Sequence, residues 1–101
     1  MRVLAKAPAC PIHVEHADQN SLEELSVIIR GKATIADIGD DIAVVYDPDA
    51  EKMHKAFNCT INDLKLYGKV AFIKYSNHSI REFHYKQDKV LKEKFPNVWR
   101  G

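Results

Sequence analysis

The chain has 101 residues and a mass of 11.5 kDa, which predicts one domain spanning residues 1–101. Apolar residues make up 46% and charged residues 29%, a globular composition that excludes a disordered chain. Fifteen Lys/Arg against fourteen Asp/Glu leave a net charge of +1, which excludes both an acidic nucleic-acid mimic and a histone-like basic protein.

Arg2 to Ala7 alternates, with Val3, Ala5 and Ala7 on one side and Arg2, Leu4 and Lys6 on the other. A period of two predicts a strand. Pro8-Ala9-Cys10-Pro11 interrupts it, and Ile12 to His16 alternates again, so the two runs read as a hairpin. Ser21-Leu22-Glu23-Glu24 has capping-box spacing, and Leu22, Leu25, Ile28 and Ile29 follow at helical spacing. Gly31 stands where a left-handed residue would end that helix. Thr34–Ile38 and Ile42–Tyr46 are β-rich around Gly39-Asp40-Asp41 and predict a second hairpin. Ala50 to Phe57 suits a short helix with Ala50, Met53 and Phe57 inward, and residues 58–66 have no clear period. Lys69 to Tyr75 contains the contiguous apolar run Val70-Ala71-Phe72-Ile73, which predicts a central strand covered on both faces. Ser79-Ile80-Arg81-Glu82 repeats the capping-box spacing, and Ile80, Phe83, Val90, Leu91 and Phe95 predict a second amphipathic helix that Pro96 stops.

Strands and helices do not alternate singly. The expected class is α+β: a mostly antiparallel five-stranded sheet packed by two main helices, in the order β-β-α-β-β-(short α)-β-α. The core is expected from Leu22, Leu25, Ile28, Val44, Val70, Phe72, Ile80, Phe83, Val90 and Leu91. A small sheet covered on one face would leave its other face or an edge for association.

The stretches Met1–Val14, Ser21–Gly31, Ile38–Tyr46 and Leu66–Ile73 carry a resemblance in their order and spacing. Together they resemble a family of small phage and prophage proteins defined only as a domain of unknown function. The resemblance implies a mobile-element gene whose product works in a bacterial cytosol, and it carries over no catalytic residue. The chain's own features agree with a cytosolic reading. Lys6 cuts the first apolar run short, so no export leader is expected, and no apolar run exceeds five residues against the roughly 20 needed to cross a bilayer. Cys10 and Cys59 are then expected as reduced thiols.

Three constellations invite chemistry. Cys10, His13 and His16 are potential metal ligands within seven residues, but on a strand positions three apart face opposite sides, so no metal is expected there. Asp47-Pro48-Asp49-Ala50-Glu51 begins like a calcium loop, yet Lys52 replaces the glycine of the sharp turn and Asn58 the final bidentate glutamate. Neither cysteine sits in a local thiol-enzyme signature. No cofactor and no enzymatic activity are expected.

Charge is unevenly spread. Residues 1–73 hold 8 Lys/Arg and 11 Asp/Glu, net −3, whereas residues 74–101 hold 7 and 3, net +4. The basic part comprises Lys74, Arg81, Lys86, Lys89, Lys92, Lys94 and Arg100, with Tyr75, Tyr85 and Trp99 interleaved. Such a pattern is either the solvated face of an amphipathic helix or a binding surface. The candidate partner-binding residues are Tyr85, Lys86, Lys89, Lys92 and Trp99. The leading expectation is a non-enzymatic binding protein that occupies a host or phage protein, as an anti-defence or host-takeover inhibitor. A homodimer also fits the opposed charges. The alternatives are a nucleic-acid binder using the basic C-terminal helix, and a protein that sequesters a small molecule. No membrane partner is expected.

Overall fold

The computed structural model describes residues 1–99, so Arg100 lies outside the described residues. Eleven elements follow in chain order: β1 (Arg2–Lys6), β2 (His13–His16), α1 (Leu22–Ile29), β3 (Thr34–Gly39), β4 (Ile42–Tyr46), β5 (Phe57–Ile61), β6 (Leu64–Tyr67), β7 (Val70–Ser76), β8 (Ser79–Arg81), α2 (Tyr85–Lys94) and α3 (Pro96–Trp99). The class is α+β. The main sheet runs β2-β1-β7-β4-β3, with β8 also paired to β7, and β5–β6 form a separate two-stranded sheet. Every pairing is antiparallel.

β7 is the central strand, and its pleat divides the interior. Val70 and Phe72 point to one side, where they join Leu4, Ile42 and Val44 beneath the β5–β6 hairpin and the two C-terminal helices. Ala71 and Ile73 point to the other side, where they join Val3, Ala5, Ala43 and Val45 beneath α1. The contiguous apolar run at 70–73 is therefore covered on both faces, as its composition predicts. The expectation of a sheet face left free for association fails for the same reason.

The first two hairpins and α1 form where their patterns place them. Ser21 caps α1, its hydroxyl accepting from the Glu24 amide. The left-handed residue at the helix end is Arg30, not Gly31. Gly31 is needed for space instead, because a Cβ there would stand 2.5 Å from the Asp47 carboxylate. That carboxylate accepts from the Lys32 and Asp49 amides, so it is occupied by backbone rather than poised for a cation. Leu22, expected in the core, is 45% exposed on the outer face of α1.

Three segments depart from the sequence reading. Residues 48–54 are successive turns rather than a helix, and Met53 and Phe57 face outward, leaving only Ala50 of the expected trio buried. Residues 58–66 pair as the β5–β6 hairpin around Asn62-Asp63. Ser79–Arg81 is a strand because Asn77 and His78 both take positive φ, 52° and 60°, in a tight hairpin turn. The capping box of α2 lies further on. The His84 ring accepts from the Lys86 amide, and Gln87 accepts from the His84 amide. The main sheet accordingly has six strands instead of five, and the helical turn that does appear in addition to the two main helices is α3, at 96–99.

β1 contributes more than its length suggests. Its row on the side of the β5–β6 hairpin is Arg2, Leu4 and Lys6. Arg2 forks onto Asp88 of α2 at 3.0 and 2.7 Å and onto the Phe83 carbonyl at 2.8 Å. Lys6 is 1% exposed and donates to Asn58 Oδ1 at 2.9 Å. The Asn58 amide group returns two bonds, to the carbonyls of Lys6 at 2.8 Å and Gly68 at 2.7 Å. The two sheets are thus joined through a half-buried polar clamp. Asn58→Ala strips partners from three buried polar groups, and urea unfolding should show a loss of about 3 kcal/mol or more. Lys6→Met removes one such bond while keeping the apolar stem, and should cost only about 1 kcal/mol. Equal losses would contradict the clamp's geometry.

Candidate interaction surfaces

α2 presents Leu91 inward and its lysines outward, the division its amphipathic pattern implies. Tyr85, Lys89 and Lys92 follow at i, i+4 and i+7 and so share one stripe. The chain then turns sharply: Phe95 closes α2, Pro96 begins α3, and the amides of Val98 and Trp99 donate to the Phe95 carbonyl. Phe95 and Val98 are buried, and Trp99 packs against the same apolar cluster while remaining part-exposed.

This turn makes a groove of about 450 Å³ lined by Lys89, Lys92, Glu93, Pro96 and Trp99. Three of the five residues singled out in the sequence meet there. Tyr85 and Lys86 stand at the other end of α2 and do not line it: Tyr85 is 67% exposed against the His84 ring, and Lys86 projects to solvent. Lys89 lies 3.9 Å from Glu93, a loose pairing on an exposed helix face, and among the described residues neither Lys86 nor Lys92 has a carboxylate within ion-pair distance. Sequence reasoning missed Glu93 and Pro96. The signal was a proline directly after an apolar helix end, which turns the chain back on the helix rather than merely stopping it.

The cysteines and histidines do not converge. Cys10 is exposed and Cys59 buried, both as free thiols. Burial pushes the Cys59 thiol up, with the Lys6 charge opposing, which leaves little thiolate near neutrality. Among the described residues no three His, Cys, Asp or Glu side chains gather at metal-ligand spacing. His13 instead engages Glu15 on the same side of β2, and Lys69 reaches the same carboxylate at 2.6 Å. Among the described residues no helix is long and apolar enough to cross a membrane.

Comparison with known proteins finds no protein family, curated protein or solved structure that matches the chain.

The Glu15 contacts make the β2 edge acid-sensitive. Partial burial raises the Glu15 pKa, but hydrogen bonds from Lys69 and His13 outweigh it and leave the carboxyl below its ordinary 4.5. A lowered folded-state pKa stabilises the fold above the unfolded value, and that contribution is lost as pH falls through the folded value. Amide exchange in residues 13–16 should therefore accelerate as pH drops below about 4.5, after correction for intrinsic rates. Glu15→Gln should flatten that part of the profile, and an unchanged profile would refute the assignment.

Proposed function

We propose that the chain is a non-enzymatic binding protein whose α2–α3 groove seats an acidic segment of a protein partner. The observation that carries the reading is that Trp99, the chain's one tryptophan, lines one groove with Pro96, Lys89 and Lys92, and that the lysines are largely unneutralised. An apolar floor of Trp and Pro with charged residues at its rim has the anatomy of a protein-docking hot spot. Lys92 and Lys86 supply positive charge that steers an acidic partner. Glu93 favours a polypeptide over a nucleic acid. Its carboxylate stands among the lining residues, where a phosphate backbone, charged at every unit, would be repelled, whereas an acidic segment interleaved with apolar residues can set an apolar side chain against it. We propose a host or phage protein as that partner, met in the bacterial cytosol, as the sequence reading expects.

Trp99 is also the reporter. Its fluorescence should respond to a short synthetic peptide of alternating glutamate and leucine, and saturate. Lys89→Glu with Lys92→Glu should weaken binding at least about tenfold, since both charges change sign. A response to the glutamate peptide that survives the double substitution would refute the groove as the site. Oligothymidylate binding with a steep salt dependence, in place of peptide binding, would establish the nucleic-acid reading instead. A small molecule retained in native mass spectrometry, and released by Trp99→Ala, would establish sequestration.

A further inference from the structure

We propose that the cleft between β3 and the β5–β6 turn is a second docking surface, which accepts an extended basic segment of a partner protein as an added strand beside β3. β3 ends the sheet, and among the described residues it pairs only with β4, so its outer backbone groups have no strand partner there. Alongside it lies a cleft of about 370 Å³, lined by Ala36, Asp37 and Ile38 of β3 and by Ile61 and Leu64 of the small sheet, with Asn62 and Asp63 at the tip. An open backbone edge beside an apolar slot is the arrangement by which strand-adding domains bind peptides: main-chain bonds supply affinity, and pockets for alternate side chains supply selectivity.

Register and charge specify the occupant. Ala36 stands opposite Val44 and faces the cleft with Ile38, whereas Asp37 stands opposite Ala43 and borders the cleft from the alternate position of the strand. An added strand would therefore turn alternate side chains into the apolar slot and the intervening ones toward Asp37. Asp37 and Asp63 have no cationic partner among the described residues, and Asp37 spends one oxygen on the Gly39 amide at 2.8 Å. Alternating apolar and basic residues complement the slot and Asp37, and a basic residue at the end of the segment that reaches the hairpin tip meets Asp63. A second copy of β3 does not, because antiparallel self-pairing would bring two Asp37 carboxylates close together. The opposite edge of the sheet differs: β2 is only four residues long, and Glu15 there is already paired with Lys69 and His13.

The test titrates the full chain with a short end-blocked peptide of alternating lysine and valine, read by backbone amide exchange and chemical-shift changes. Protection should appear at residues 34–38, with Trp99 fluorescence unchanged. The same peptide N-methylated at alternate bonds keeps its side chains but loses strand hydrogen bonds, and should bind at least about tenfold more weakly. Asp37→Lys with Asp63→Lys should weaken the unmethylated peptide comparably. Absence of protection at 34–38, or equal binding of the methylated peptide, would overturn the proposal. So would equal binding by the double variant. Should that variant fail to fold, the methylated pair on the unaltered chain still decides. Because the glutamate peptide and the lysine peptide report on different surfaces, failure here is distinct from failure of the α2–α3 groove.

Discussion

The Lys6–Asn58 clamp is the contact on which the rest of the molecule leans. Leaving a buried ammonium without a partner is costly, and here Asn58 Oδ1 accepts one of its three N–H groups while the Asn58 amide caps two backbone carbonyls. Asn58 can do so only when β5 lies across the end of β1. Once it does, Cys59, Ile61 and Leu66 close over Phe72 and Val70, and Leu91, Phe95 and Val98 complete the same cluster. Arg2 secures the far end of that row by forking onto Asp88, at the start of α2. One five-residue strand therefore fixes both the small sheet and the helix that carries the groove.

This arrangement decides where function can sit. With α1 over one face of the sheet and the hairpin and helices over the other, no broad apolar sheet face remains. What remains is local: a groove where the chain folds back at Pro96, and a sheet edge beside the hairpin tip. Their charges differ in sign, basic on the C-terminal helix and acidic at β3. On the readings proposed above, the two surfaces would take segments of opposite charge. Cys59 is buried with its thiol pushed up, and His13 contacts Glu15.

Much of the architecture was legible because its signals are local. Ser21 with Glu24 marks a helix start, Asp40-Asp41 a turn, and the run 70–73 a strand with two buried faces. What escaped was set by tertiary partners. Lys6 looks like a solvent-facing residue, and only the approach of Asn58 makes it a core one. Residues 58–66 lack a clean alternation because Asn58 serves the clamp and a bulge follows Phe57. Ser79 to Glu82 has the spacing of a helix cap, but Asn77-His78 reverses the chain first. The cap of α2 was hidden because histidine seldom fills that role. At the candidate site, Lys89, Lys92 and Trp99 were visible as charge and aromatic character, whereas the groove that unites them depends on the turn at Pro96. The β3 cleft left no trace in the sequence, since Asp37 there reads as an ordinary turn residue.

The dependence of the groove on the clamp is open to direct measurement by residue-resolved hydrogen exchange on Asn58→Ala, under conditions where the chain stays folded. If the clamp holds the small sheet and the C-terminal helices as one unit, β5, β6, α2 and α3 should lose protection together, while α1 and its contacts with Ala71 and Ile73 retain theirs. Loss confined to β5 and β6, with α2 and α3 still protected, would contradict the account, as would an even loss across both faces of the sheet.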